Sequence, residues 1–518
     1  MVINEVLASL QIGFPILSAL IWLPVAGIAL VALSPSPVLA TRITVALALV
    51  EFLLTLLLLS AFKTGTPDLQ FVERLGGIYV LGIDGISALF LPLTALLLLL
   101  TCLSSEVSSM NGVRGYLMAQ LGFAATMMGA FAAADLTLFW LFFALEIAPA
   151  YLLIARHGTG AERRGAARHY LAVMVVSSGL LLIGLEMLIA EAGGARDLRT
   201  VLATAIPAEA QVGIFALLCV ALGIKAPIFP LHSWLPKVLE QGPVVGLGIF
   251  LVGVKVGTYA LIRFVIAMLP EASAQWFWVM AGLGTIGMVY GALIALAQSD
   301  LRRLLAFASL SHMGVVLLGL FSLNLYGLQG GLLQMLSLGA AAAGLYFIAG
   351  FLHQRVGPPD IGNLGGLTTQ VPLLSLAFIT TAMAAVGMPV TSGFNGEHLV
   401  VIGAYKVHWG MAICVVTGTV LTAAYFLRYF LRAFMAEASA PGAAAIPDLS
   451  LRERVIMLSM VGVVMLAGLY TGPFLRVVNG SLEPMAQHVE ARVKQHALQL
   501  PGARTTAQAQ AAPQPSTR

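Results

Sequence analysis

The chain has 518 residues, of which 59% are hydrophobic and only 10% are charged, and its mean hydropathy is +0.95. A soluble domain carries about 25% charged residues, so the composition excludes a cytosolic enzyme, a nucleic-acid-binding protein, a coiled coil and a disordered scaffold. The net charge of +4 is a topology signal and does not indicate a nucleic-acid partner. The sequence therefore predicts an all-α polytopic membrane protein, with the lipid bilayer as its surroundings.

Apolar stretches of about 20 residues can each span the hydrocarbon core of a bilayer. About fourteen follow one another along the chain, at 11–33, 43–62, 78–102, 114–134, 136–155, 168–192, 211–230, 242–270, 276–297, 303–322, 328–353, 373–405, 409–434 and 455–477. The first lacks a preceding basic region and a cleavage motif, so we interpret it as a retained span.

These segments are predicted to form five parts of the chain. The parts are segments 1–3 within 1–113, a first repeat of segments 4–8 within 114–270, a second repeat of segments 9–13 within 271–434, a linker and segment 14 within 435–480, and a surface segment with a disordered tail within 481–518. Met485, Val489, Val493 and Leu500 recur at near-helical spacing, which predicts a short amphipathic helix on the membrane surface.

Lysine and arginine residues predict the orientation of the chain. Most of them follow odd-numbered segments, so those loops should face the cytoplasm and both termini the periplasmic side. Arg263 is counted here as a loop residue after segment 8.

Four charged residues lie inside apolar segments. They are Glu146 in segment 5, Lys225 in segment 7, Lys255 in segment 8 and Glu397 in segment 12. An ionised side chain at mid-membrane costs roughly 2.5–3.5 kcal/mol, so each is a candidate functional residue. The alternative is that they form buried ion pairs that only hold helices together.

Two of the four charges lie beside residues that break helices. Lys225 precedes Pro227 and Pro230, and Glu397 follows Pro389 and two glycines. Broken spans are typical of transporters built from inverted repeats. The five-segment offset between segments 7 and 12 therefore predicts inverted repeats of five helices. His312, inside segment 10, could relay protons or be an ordinary buried histidine.

Three stretches resemble the antiporter-like subunits of respiratory complex I. They are GIKAPIFPLHSWLPKVLEQGPVVGLGIFLVGVKVGTYALIRF at 223–264, SDLRRLLAFASLSHMG at 299–314 and GMPVTSGFNGEHL at 387–399. The resemblance covers about 75–435 and includes the helix that carries Glu146 and Pro149. Glutamate at position 397, together with a chain that ends soon after segment 14, resembles the M-type branch of the family.

One position departs from the family pattern. The family usually has a histidine just before a glycine in a broken part of segment 11, where this chain has Leu338 before Gly339. The route past this point is therefore expected to rest on water or on Gln334.

The resemblance implies proton translocation driven by redox chemistry in other subunits of a complex I type NADH (or ferredoxin)-quinone oxidoreductase. Glu146, Lys225, Lys255, His312 and Glu397 would form the proton axis, with Lys225 switched by Glu146 and Glu397 as the terminal donor. NADH, FMN, iron–sulfur clusters and quinone would be bound by partner subunits, which would include two flanking antiporter-like subunits. No cofactor or metal is expected in this chain, and a bacterial inner membrane is its expected location.

Two alternatives remain open. The chain could serve a related complex, such as a cation/proton antiporter, a membrane-bound hydrogenase or an inorganic-carbon uptake complex. It could also be a scaffold that has lost transport.

Overall fold

The computed structural model describes residues 12–104, 112–243, 246–437 and 446–499, with side chains through residue 495. Within this part of the chain, ten helices are long and apolar enough to cross a membrane, or eleven if a bent pair near the C-terminus counts as one span. The helical membrane architecture is confirmed, whereas the count of fourteen is not. Residues 500–518, including Leu500 and the predicted tail, lie outside the described residues.

The first half of the chain contains ten helices and a β-hairpin in the described residues. They are α1 (Ile16–Leu33), α2 (Pro37–Ala61), β1 (Gln70–Leu75), β2 (Tyr79–Ile83), α3 (Phe90–Leu103), α4 (Val113–Ala132), α5 (Leu136–Leu145), α6 (Ile147–His157), α7 (Arg163–Glu191), α8 (Leu198–Ala203), α9 (Ala208–Lys225) and α10 (Trp234–Gln241).

In the second half, the named elements of the described residues are all helices, and loops join them. This half contains α11 (Leu247–Ala260), which continues as a π-helix (Leu261–Ile266), then α12 (Pro270–Gln275), α13 (Phe277–Ala297), α14 (Leu301–Leu320), α15 (Leu325–Val356), α16 (Leu367–Gln370), α17 (Pro372–Val386), α18 (Ser392–Val407), α19 (Trp409–Phe430) with a π-helical end (Leu431–Met435), α20 (Leu451–Leu469) and α21 (Thr471–Gln499).

The prediction of one apolar helix over 78–102 is wrong. Its first part is strand β2, which pairs with β1 as an antiparallel hairpin, and the helix begins only at Phe90. Residues Gly76 and Gly77 form the turn, with a positive φ of 66° at Gly76. A short apolar run at a helix start cannot be told from a strand by hydrophobicity alone.

Segments 7 and 12 are broken, as the prolines and glycines predict. Segment 7 divides into α9 and α10 on either side of residues 226–233, and segment 12 divides into α17 and α18 around residues 387–391. Segment 11, in contrast, is one continuous helix of 32 residues, α15. The break that the family pattern suggested there is absent from the described residues.

Two matching backbone contacts support the predicted five-helix repeat. Asp135 caps the start of α5 and pairs by its backbone with Asp197, while Asp300 caps the start of α14 and pairs with Asp360. The first residue of each helix donates to the partner loop, at 3.0 Å from Leu136 N and 3.1 Å from Leu301 N. Burial raises the pKa of both capping carboxyls. The segments 5 and 10 that start at these caps run in opposite directions in the predicted topology.

The C-terminal helix is longer than the sequence suggested. α21 begins inside the predicted segment 14, directly after α20 ends at Leu469, and is bent by 72° from α20. Asn479 accepts a hydrogen bond from Gln329 at 2.7 Å, and Arg492 forms an ion pair with Glu271 at 2.7 Å. The helix therefore packs against α15 and α12 instead of forming a separate surface segment at 485–500.

Candidate functional site

Glu146 lies at a break in segment 5. It ends α5 and begins α6, and Pro149 in the first turn of α6 has no backbone N–H to donate to the preceding turn. The carboxyl side chain is almost fully buried, at 1% exposure. The local sequence therefore places an acid inside the membrane at a point where the helix is interrupted.

Lys225 is the direct partner of Glu146. The lysine is the last residue of α9, its ammonium donates to Oε2 of Glu146, and both side chains are buried. Tyr170 of α7 donates a hydrogen bond to the other carboxylate oxygen at 3.1 Å. A cation at a helix C-terminus is favoured by the helix dipole, so the break after α9 supplies a suitable position for the lysine.

Lys255 lies in the middle of α11, in which every residue is buried. A Cβ added at Gly253 would lie 3.3 Å from Oε1 of Glu146, and one added at Gly257 would lie 2.7 Å from the backbone nitrogen of Ala226. The two glycines thus let α11 pass close to the Glu146–Lys225 pair on both sides of Lys255. Among the described residues, the Lys255 ammonium has no carboxylate partner.

Lys255 and His312 line the same small cavity. Its volume is about 10 Å³, and Leu338 is part of its wall. A cavity needs roughly 10–15 Å³ to hold one water molecule. The site therefore has room for about one water between the two polar groups, and the leucine makes the side formed by α15 apolar.

A series of hydroxyl groups on α19 lies beside His312. The Tyr425 hydroxyl is 3.5 Å from Nε2 of His312 and donates to Thr422 Oγ1 at 3.4 Å. Thr419, one turn further along, donates to a carboxylate oxygen of Glu397. We call Tyr425, Thr422 and Thr419 the hydroxyl ladder; residues three apart lie on one face of a helix. The ladder joins the surroundings of His312 to those of Glu397.

Glu397 is held against the break in segment 12. Its side chain is 8% exposed, and a Cβ at Gly387 would overlap Oε2 of Glu397. Gly387 also has a φ of +79°, which favours glycine. This residue therefore has two independent reasons to be glycine: the backbone turn and the close approach of the carboxylate.

Gln334 lies near Glu397, as the expected substitute route requires. A Cβ at Gly396 would lie 2.7 Å from Gln334 Oε1, and that oxygen is buried without a hydrogen-bond partner in the described residues. Ser337, one turn along α15, shares a 2.7 Å hydrogen bond with Ser392 at the start of α18. Gln334 and Ser337 thus bring polar groups of α15 against the first turns of α18, the helix that carries Glu397.

The structure brings the five predicted residues into three groups. Glu146 contacts Lys225, Lys255 shares a cavity with His312, and Glu397 stands apart with Thr419 of the hydroxyl ladder as its hydrogen-bond donor. The ladder was missed because hydroxyl side chains in an apolar helix carry no distinctive sequence signal. Groups of three or more His, Cys, Asp or Glu residues that could hold a metal are absent from the described part of the chain.

Two buried acids escaped the sequence analysis. Glu51 of α2 is 1% exposed, and neither of its carboxylate oxygens has a hydrogen-bond partner in the residues the structure describes. It could have been recognised as a charge in the middle of segment 2, the signal that identified Glu146. Asp84 forms a buried two-bond ion pair with Arg263 at 2.6 and 2.5 Å. Arg263 is therefore a buried residue of segment 8, and counting it as a loop residue was wrong.

Buried charges on broken membrane helices define the class of protein: a multi-pass membrane subunit of the antiporter-like type. The family model described as "NADH:quinone oxidoreductase/Mrp antiporter, TM" matches residues 133–422. The NADH-quinone oxidoreductase subunit M of Rhodobacter capsulatus is 33% identical over 460 residues, which are 85% of this chain and 89% of that protein.

Solved structures agree with this assignment. A chain of respiratory complex I from Thermus thermophilus is 33% identical with a TM-score of 0.84, covering 91% of this chain and 99% of that chain. A chain of the Mrp complex from a Dietzia species shares the fold with a TM-score of 0.79 at 22% identity, covering 92% and 99%. The chain therefore belongs to the NADH:quinone oxidoreductase/Mrp antiporter family of membrane subunits, and its similarity to subunit M confirms the M-type resemblance.

Proposed function

We propose that this chain translocates protons as a non-redox subunit of a complex I type NADH-quinone oxidoreductase. The observation that carries the proposal is the buried contact between Glu146 and Lys225 within a membrane-spanning bundle. An intramembrane ion pair is costly to bury. Its position at two helix breaks gives both partners the local freedom to separate.

The pair can act as a switch for proton binding. Two opposite charges about 4 Å apart interact by roughly 4 kcal/mol at an effective dielectric near 20. That energy corresponds to about a thousandfold in a proton-binding equilibrium. Movement of Glu146 away from Lys225 would therefore let the lysine release its proton much more readily.

The released proton would pass from Lys225 to Lys255 through ordered water. The cavity between Lys255 and His312 has room for about one water, which is enough for a single transfer step. The hydroxyl ladder places a hydroxyl beside His312 at one end and beside Glu397 at the other, because Tyr425 contacts His312 and Thr419 donates to Glu397. Thr422 and Thr419 are not hydrogen-bonded to each other, so a water would have to carry the proton between them. Glu397 would be the terminal donor to the outer side.

The energy for this transfer would come from partner subunits. We propose that NADH oxidation and quinone reduction, with FMN and iron–sulfur clusters, take place there, and that two flanking antiporter-like subunits adjoin this chain. The complex would lie in a bacterial inner membrane with both termini of this chain on the periplasmic side. The relatives named subunit M support this reading.

A second candidate is a subunit of a cation/proton antiporter, and the shared fold of the Mrp complex chain is the observation that favours it. A measurement of sodium transport separates the two candidates. An antiporter subunit would move sodium in a redox-independent assay, whereas the proposed subunit would move protons only during NADH oxidation.

The role of Glu397 is tested by two variants in the purified whole complex, reconstituted in vesicles. Glu397→Gln keeps the size of the side chain but removes the titratable group, and Glu397→Asp keeps the acid with a shorter reach. We expect full assembly with strongly reduced proton uptake per electron for Gln and partial recovery for Asp.

Glu51→Gln is the matched control, because it removes another buried acid that lies outside the proposed axis. It should leave pumping unchanged. Equal pumping by wild type and Glu397→Gln would remove Glu397 from the route. Poor assembly of the Gln variant, a loss of about 3–5 kcal/mol from a stranded charge, would instead indicate a structural ion pair.

A further inference from the structure

Four arginines line an open cavity between the end of α6 and the start of α7. They are Arg156, Arg163, Arg164 and Arg168, and the cavity has a volume of about 700 Å³. Tyr151, Leu152 and Ala155 also line it. The cavity thus combines four basic side chains with apolar lining residues.

The positive charge of this cavity is not neutralised within the described residues. None of the four arginines forms an ion pair there, and the one hydrogen bond of their guanidinium groups joins Arg163 to the carbonyl of Gly158 at 2.9 Å. Glu162 precedes the helix without pairing with them. The first turn of α7 contains no acidic residue.

Arginines are also unfavourably placed at this end of a helix. The N-terminus of a helix carries a partial positive charge and stabilises anions, not cations. Three of the four arginines lie within the first six residues of α7. Both the side chains and the helix end therefore favour an external anion with several negatively charged oxygens.

An apolar surface continues from the cavity along α7. Leu171 and Val175 follow Arg168 at spacings of three and four, so all three share one helix face, and the two apolar side chains are 36% and 55% exposed. Leu152 beside them is 37% exposed. A ligand that fits both surfaces needs an anionic head and long apolar chains.

We propose that this cavity binds an anionic phospholipid whose headgroup carries two phosphates. Arginine binds phosphate oxygens through two parallel hydrogen bonds, and four arginines match two phosphate groups. The acyl chains would lie on the Leu152, Leu171 and Val175 surface. The predicted topology puts the cavity on the cytoplasmic side, where basic pockets between helices bind such headgroups. This site is independent of proton translocation.

The test measures lipid binding by the whole complex that contains this chain. The complex is delipidated in a neutral detergent and titrated with cardiolipin, phosphatidylglycerol, phosphatidylcholine or inorganic phosphate, and bound lipid is counted by native mass spectrometry. Each arginine near an anionic headgroup strengthens binding by roughly five- to sixfold. Loss of two arginines in the double variant Arg164→Gln/Arg168→Gln should therefore weaken cardiolipin binding by roughly 30-fold. Arg164→Lys with Arg168→Lys keeps the charge and should lose less.

A double change of Arg42→Gln and Arg432→Gln is the matched control. It removes the same charge from exposed positions of the same predicted membrane side and should leave this binding unchanged. Equal cardiolipin binding by wild type and the Arg164/Arg168 variant would overturn the proposal. So would competition by inorganic phosphate as strong as that by cardiolipin, or crosslinking of position 164 to an acidic segment of a neighbouring subunit in the lipid-free complex.

Discussion

The hydroxyl of Tyr425 lies 3.5 Å from Nε2 of His312 and connects segment 10 to segment 13. The family pattern would place a histidine of segment 11 at position 338. The corresponding residue here, Leu338, lines the cavity beside His312 but cannot exchange a proton. The described residues therefore offer α19, in place of this position of α15, as a polar connection towards Glu397.

Tyr425→Phe tests the hydroxyl ladder. The change removes one hydroxyl and leaves the ring, so packing should be preserved. We expect normal assembly and a fall in proton transfer of roughly tenfold, which corresponds to about 1.4 kcal/mol in the barrier. Proton uptake in vesicles driven by NADH measures the effect.

Tyr429→Phe is its control on the same helix. The Tyr429 hydroxyl donates to the carbonyl of Pro359 at 2.8 Å, away from the ladder. Loss of that bond should cost about 1 kcal/mol of stability and leave pumping intact. Equal pumping by wild type and Tyr425→Phe would assign the route to Gln334 and water.

Leu338→His tests whether the apolar residue is what makes the ladder necessary. Histidine is similar in size to leucine and would bring a titratable group into the cavity that Lys255 and His312 share. We expect this change to have little effect alone and to restore most of the pumping lost in Tyr425→Phe. A double variant that pumps no better than Tyr425→Phe would contradict this expectation.

The broken helices and the buried positions of Glu146 and Lys225 could be predicted from sequence, because prolines and intramembrane charges are local signals. The pairing of the two charges was implied only by the family resemblance. The hairpin at Gln70–Ile83 could not, since the apolar residues of β2 merge with the apolar run of α3. The ion pair of Asp84 and Arg263 joins residues 179 positions apart. Hydrophobic periodicity carries no information about such distant partners, and Arg263 alone resembled a loop residue.

The Asp84–Arg263 pair should be important for stability. Breaking a buried pair by removing one partner costs about 3–5 kcal/mol, because the other charge remains buried. We therefore expect Arg263→Met to lower the thermal dissociation midpoint of the complex strongly. Arg263→Met combined with Asp84→Asn should recover much of the loss, since the stranded charge is then removed. If the double variant is as unstable as the single one, packing and not charge explains the effect.

The central claim is that protons cross the membrane through the Glu146–Lys225 switch, and Lys225→Ala tests it most directly. The measurement is proton uptake per electron in vesicles that contain the fully assembled complex, with Glu51→Gln as the control for loss of another buried ionisable side chain. The account predicts that Lys225→Ala lowers proton transfer by roughly tenfold or more, with slower electron transfer if the two are tightly coupled, and that Glu51→Gln pumps normally. Near-normal pumping by an assembled Lys225→Ala complex would contradict it.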